Sequence, residues 1–325
     1  MMNRTFKIGN INIKTPLILG PMAGYTNLPF RLMSKAYGAG MVFTEMISGK
    51  GLYYKDHKTA ELMITNEKEA PVGIQIFGSD PEILGEVVER YINITEHAFL
   101  DFNAGCPAPK ITKNGEGSAL MKTPELFFQV VRALVQASNK PLIVKTRIGW
   151  DEDSINIREI AEGVEDAGAA ALTIHGRTRE AYYSGKANWE IIKEVKKNAG
   201  IPIILSGDIV SGEAAKIALE TTGVEGLMVG RAAIGNPFIF REIDHYLKKG
   251  EIREKPTPEE KIDTALRHIE LLCLLKNEDA GLREMRKHLV SYTKGLRHST
   301  VLRNELFRAS DKASVIRLLK GALEG

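Results

Sequence analysis

Eight short runs of apolar, largely β-branched residues recur through the first 250 positions of this 325-residue chain, and their spacing constrains the fold more than any other feature. They are Pro16–Gly20, Met41–Glu45, Val72–Phe77, Phe99–Asn103, Leu142–Thr146, Ala171–His175, Pro202–Ser206 and Gly226–Val229. Near-continuous apolar runs of this length read as parallel strands buried on both faces. Helix-length segments separate them, among them Pro81–Thr95, Pro124–Ser138, Ser154–Ala167 and Ser211–Thr221. Asp80-Pro81, Thr123-Pro124, Ser154 and Ser211 supply start signals. The alternation predicts an α/β fold, a (β/α)8 barrel. An open doubly wound sheet would carry Gly-x-Gly-x-x-Gly after its first strand, and Gly20-Pro21-Met22-Ala23-Gly24 does not supply it.

After Tyr246 the texture changes. Residues 248–258 are charged, contain two prolines and read as a connection. The expected organisation is a barrel over 1–250, a linker over 251–259 and a small all-α domain over 260–325. Ile262, Ala265, Leu266, Ile269, Leu272 and Cys273 follow a 3.6-residue period, so Cys273 reads as a packed small hydrophobe. In the next predicted helix Leu282, Met285, Leu289, Tyr292 and Leu296 share one stripe. Arg283, Arg286, Lys287, Lys294 and Arg297 share the opposite one. Between Gly281 and Lys320 there are ten Lys/Arg against three Asp/Glu, although the whole chain carries only +3. Such asymmetry suits either a solvated face or a grip on a polyanion.

Composition excludes several classes. With 43% hydrophobic and 26% charged residues, the chain is neither disordered nor fibrous. Two cysteines are too few for a disulfide framework. No apolar run is long enough to span a membrane, and Met1–Lys7 lacks the apolar core of a secretory leader. A cytoplasmic enzyme, monomeric and without membrane attachment, is the expectation. No HExxH, paired CxxC or carboxylate cluster suggests a catalytic metal.

Barrel enzymes draw their chemistry from the carboxyl ends of strands. Here those ends carry Pro21, Met22 and Ala23; Glu45; Gln75; Asn103 and Cys106; Lys145 and Arg147; His175 and Arg177; Ser206, Gly207 and Asp208; and Gly230 and Arg231. Polar side chains on apolar strands are costly unless something pairs with them, so the set implies a polar ligand on the barrel axis. Gly207 and Gly230 close the seventh and eighth strands, where barrels hold phosphate on backbone N–H groups. Lys145 faces inward by alternation. It could be a Schiff-base amine, a phosphate clamp or a cation beside an electron-rich cofactor. His175 could be a ligand, an acid or a hydrogen-bonding core residue. Cys106, between Gly105 and Pro107, can donate a proton or attack. The loop Pro109–Gly117 after it reads as a mobile lid.

Five segments resemble one family, the tRNA-dihydrouridine synthases. They are Gly20–Arg31, Asp101–Pro107, Val144–Gly149, His175–Thr178 and Val229–Ala233. Met285–Gly295 is similar to that family's helical tRNA-binding domain, and the bacterial DusB-like branch is the nearest in pattern. The resemblance implies flavin mononucleotide (FMN) in the barrel mouth, NADPH or NADH as reductant, and reduction of the C5–C6 double bond of a tRNA uridine. It implies that Pro21, Met22 and Ala23 lie against the flavin ring while Gln75 and Lys145 bond its polar edge. His175 would support the ring or ribityl chain. Gly207, Gly230 and Arg231 would hold the phosphate, beside Ser206 and Asp208. Asn103, Arg177 and Arg147 would orient the uracil. Hydride would reach C6 and Cys106 would protonate C5 as general acid, with the target base extruded from the RNA. Ser206 stands where many members have Asn, which leaves only backbone contacts expected near it. The rival readings are a small-molecule flavin barrel of the dihydroorotate dehydrogenase kind, an aldolase or isomerase using Lys145, and a non-catalytic RNA-binding barrel.

Overall fold

The computed structural model describes residues 5–323, so residues 1–4 of the Met1–Lys7 stretch lie outside it. The chain opens with an antiparallel hairpin, β1 (Phe6–Ile8) and β2 (Ile11–Ile13), turning at Gly9-Asn10. Gly9 takes φ 57°, the left-handed turn conformation that glycine adopts without steric cost. Next come β3 (Leu17–Leu19), β4 (Val42–Phe43), β5 (Ile47–Ser48), β6 (Val72–Phe77), β7 (Phe99–Ala104) and β8 (Leu142–Arg147). β9 (Ala171–His175), β10 (Ile203–Ser206) and β11 (Gly226–Val229) complete the set. All strands after the hairpin pair in parallel, in the order β3-β11-β10-β9-β8-β7-β6-β4, with β5 also on β6. A parallel bridge between Ile18 and Met41 brings β3 back to β4, so the eight staves nearly close. The barrel is the one the alternating pattern predicts.

The second stave differs from its expected form. Met41–Glu45 is not one strand: Thr44, Glu45 and Met46 leave the ladder between β4 and β5. Thr44 turns its hydroxyl oxygen to the Gln75 N–H at 3.0 Å. The break frees Glu45 to accept from the Gly24 N–H at the mouth.

Two helices also differ. The Asp80 side chain caps Pro81–Val87, but that helix passes into a wider turn at Val88–Ile92 and does not reach Thr95. Ser154 closes a short turn with Asp151, and the helix proper runs Ile157–Asp166. Ser211 does cap Gly212–Thr222, through the Ala214 N–H.

Strand alternation sorts the side chains. Val144, Leu172, Leu205 and Leu227 point to the surrounding helices, whereas Ile18, Met41, Phe43, Phe99, Ile143, Ala171, Ile204 and Met228 fill the barrel's amino end. Ile8 and Ile13 of the hairpin pack into that same cluster from below, both fully buried. This end of the interior is therefore solid and apolar.

Helices Phe238–Lys249, Pro258–Leu275, Glu278–Tyr292, Ser299–Arg308 and Lys312–Gly321 finish the chain. The last four share an apolar cluster that includes Ile262, Ile269, Leu272, Leu282, Met285 and Leu289, as their period predicts. They dock on the barrel helix Leu28–Ala36 and the residues flanking it. Phe30 meets His268 and His288 at ring separations of 5.9 and 4.9 Å, and Tyr37 Oη lies 2.7 Å from Thr264 Oγ1. Among the described residues no helix is long and apolar enough to cross a membrane.

Candidate active site

Toward the carboxyl ends of the strands the inward positions become polar: Gln75, Asp101 and Thr173, then Asn103, Lys145, Arg147, His175 and Ser206. Above them opens a cavity of about 800 Å³. Pro21, Met22, Ala23, Asn103, Cys106, Lys145, Arg147, His175, Arg177, Ser206, Gly207, Asp208, Gly230 and Arg231 all line it. Gln75 does not. It lies one layer down, 1% exposed, beneath Asn103. Both of its amide ends are engaged inside the protein, with Asp101 and with Asn103.

Cys106 is held by its backbone. Its N–H and that of Gly105 donate to Asn103 Oδ1, at 2.9 and 3.0 Å. Its carbonyl accepts from the N–H and hydroxyl of Ser118. The loop after it is thus no free flap: Pro109–Thr112 is a helical turn, and Gly117–Lys122 is a second one tied back to Cys106. Asn103, expected only at the substrate, spends its side-chain oxygen on placing Cys106.

Arg147 is 2% exposed and acts as a strut. Its Nε donates to the Gly105 carbonyl, and Nη1 donates to the carbonyls of Thr178 and Tyr182. Arg177 donates to the carbonyls of Ser184 and Gly185 and pairs with Asp208 at 2.7 Å. Its buried Nη1 has no partner. Burial alone would raise the Asp208 pKa, but the Ala187 N–H and Arg177 outweigh it and keep the carboxylate charged. Burial and the cations Lys145, Arg147, Arg177 and Arg231 hold His175 neutral, well below its ordinary value. Burial, helped by Arg147, lowers Lys145 to about 8, against the pull of Asp101 and Cys106. The floor of the cavity is thus cationic, with a neutral imidazole on its wall, and it suits an anionic, ring-bearing ligand.

The far rim fits a phosphate. A Cβ built on Gly230 would meet no protein atom within 4 Å, so the backbone there is bare toward open space. Arg231 follows at the first position of the turn Arg231–Ala233. Lys145 lies below, and Pro21, Met22 and Ala23 supply an apolar shelf beside it. Together these parts would suit a ligand with one phosphate, one polar ring edge and one flat apolar face. Among the described residues no group of three or more His, Cys, Asp or Glu could hold a metal.

Two features escaped the sequence reading. Tyr183 stands at the mouth with the Arg231 guanidinium 4.3 Å and the Arg147 guanidinium 5.6 Å from its ring, and His175 at 6.2 Å. Its only sequence signal is a Tyr-Tyr pair in the loop after Arg177. Tyr25 also lines the cavity and carries Lys287 Nζ over its ring at 4.9 Å. Lys287 therefore leans to the barrel mouth and is half-buried, while Arg283 stays exposed. Lys294 and Arg297 are not on that helix at all. It ends at Tyr292, where the Thr293 hydroxyl folds back to the Leu289 carbonyl and Gly295 takes φ 82°. None of the five C-terminal cations lines the cavity.

The family profile described as dihydrouridine synthase (Dus) matches residues 18–324. The chain is 40% identical over 319 residues to tRNA-dihydrouridine synthase B of Vibrio vulnificus, covering 98% of each chain. It is 38% identical over 306 residues to a probable tRNA-dihydrouridine synthase 1 of Synechocystis, covering 94% of this chain and 85% of that one. Among solved structures, the old yellow enzyme homologue from Zymomonas mobilis superposes with a TM-score of 0.56 at 12% identity, over 78% of this chain and 94% of that one. That last likeness is one of barrel architecture.

Proposed function

The chain belongs to the dihydrouridine synthase family, and on that premise we propose that it is an oxidoreductase reducing the C5–C6 double bond of uridines in tRNA, with FMN as prosthetic group and NADPH or NADH as reductant. One observation carries the reading. β7 and β11 stand four staves apart in a ring of eight, so Cys106 and the bare backbone of Gly230 face each other across the cavity mouth. A flavin anchored by its phosphate at Gly207, Gly230 and Arg231 would supply the hydride for C6 of the base.

The protein's own groups divide the remaining tasks. Lys145 places positive charge at the floor, where a reduced ring gathers negative charge. His175, held neutral, would pack against the same ligand without adding charge. Asn103 keeps Cys106 at the rim, and its thiol gives a proton to C5. Arg177, anchored by Asp208, directs its guanidinium along the wall where the uracil carbonyls would lie. Residues 1–250 carry the chemistry, 251–259 connect, and 260–325 hold the RNA through Arg283, Arg286, Lys294 and Arg297, with Lys287 at the junction. The enzyme works in the cytoplasm as a monomer.

The test is direct. The purified protein should be yellow, and NADPH should bleach it. In Cys106→Ala that bleaching should be unchanged, while recovery of colour on adding unmodified tRNA should slow by about a hundredfold, the usual scale of a lost general acid. Recovery at the normal rate would remove Cys106 from the reaction. A colourless protein that binds tRNA would favour the non-catalytic barrel, and a yellow one indifferent to tRNA the small-molecule reductase.

A further inference from the structure

Beneath Cys106 the buried polar groups form a chain with a single sense. The Cys106 and Gly105 N–H groups donate to Asn103 Oδ1, Asn103 Nδ2 donates to Gln75 Oε1 at 2.9 Å, and Gln75 Nε2 donates to Asp101 Oδ2. Each amide has a donor end and an acceptor end and could be turned over. The termini of the chain cannot. Backbone N–H groups only donate, and an ionised carboxylate only accepts. Asp101 is fully buried, and its Oδ1 has no partner. An isolated buried carboxylate oxygen is costly, and an apolar side chain would fill the same place at less expense. Burial raises the Asp101 pKa to about 7, while the Gln75 hydrogen bond and the charge of Lys145 favour its ionised form.

We propose that Asp101 is the positioning residue of this site: its carboxylate fixes the sense of the Gln75 and Asn103 amides and so sets the backbone that presents the Cys106 thiol to the cavity. The catalytic meaning of this rests on the reading of Cys106 as proton donor, whereas the positioning itself does not. Asp101 does not line the cavity. It acts through two side chains.

The sense of the chain makes the proposal testable by reversal. Gln75→Glu sets two buried carboxyl groups face to face, which must either repel each other or take up a proton to share a bond. Adding Asp101→Asn restores a donor below while the new carboxylate still accepts from Asn103. Two readouts apply, in a Cys273→Ser background: the alkylation rate of Cys106 by iodoacetamide across the neutral to mildly alkaline range, and recovery of flavin colour by unmodified tRNA after reduction. Gln75→Glu should alter the first severalfold and slow the second by about tenfold or more. The Gln75→Glu/Asp101→Asn pair should return both toward the parent. Asp101→Leu should resemble Gln75→Glu. The proposal is overturned if the pair fails to rescue, or if Gln75→Glu and Asp101→Leu match the parent in both readouts. If the protein holds no flavin, the proposed function falls and alkylation alone still judges the relay.

Discussion

Replacing Gly230 by alanine should leave the melting temperature of the flavin-free protein unchanged and weaken its hold on flavin. Replacing Gly207 should do the reverse first. Gly207 takes φ 115°, and a Cβ there would lie 2.8 Å from Ala187 Cβ and 3.1 Å from the His175 ring, so Gly207→Ala costs about 1–3 kcal/mol of fold stability. At Gly230 a methyl group meets only the space where a phosphate would sit. Thermal unfolding of both apoproteins and fluorescence titration with FMN separate the cases; equal destabilisation of both would refute the cradle. Residue by residue, the site was unevenly legible. Lys145 was placed inward by simple alternation, because strand geometry leaves no other choice. Gln75 and Asn103 read as inward-facing, but sequence shows that a residue faces inward and not which neighbour takes its hydrogen bonds. Tyr183 was missed because it lies on a loop, where no period fixes direction.

Among the elements, the helix Leu28–Ala36 carries the greatest consequence, since Phe30 on it meets two buried histidines of the C-terminal helices. His268 and His288 are both fully buried, 4.6 Å apart ring to ring, and neither Nε2 has a partner. Burial, with Lys287 nearby and, at His288, the opposing charge of the His268 ring, holds both far below 6.5. The unfolded chain therefore takes up these protons first as the medium acidifies. Stability is intact above 6.5 and falls below it, by about 1.4 kcal/mol per pH unit for each histidine. Melting temperature should drop between neutrality and about pH 5, and His288→Leu should flatten that drop. A drop of the same size in the variant would locate the effect elsewhere. The elements themselves were largely legible, since buried parallel strands announce themselves as apolar runs. The break in the second stave was not, because Thr44 leaves the ladder to satisfy a backbone group of β6, a contact 31 positions away. The hairpin went unread too, although the alternation around Gly9-Asn10 was a usable signal.

For the molecule as a whole, none of the five C-terminal cations lines the cavity, so the role proposed for them is binding rather than chemistry. Arg283→Ala with Lys294→Ala, both at exposed positions, should leave flavin reduction by NADPH untouched. The same pair should make the dependence of tRNA binding on salt shallower by about one unit of slope per cation removed. An unaltered slope in filter binding would move the RNA to another face. Ile8 and Ile13 have a last consequence. By stoppering the lower end they make the barrel a well instead of a tunnel, entered from the cavity mouth. On the proposed reaction an electron donor and a folded nucleic acid would both need that floor and would have to queue, each departing before the other arrives. Initial rates measured against the two reactants should give parallel double-reciprocal lines, and lines that intersect would mean that both can be inside at once.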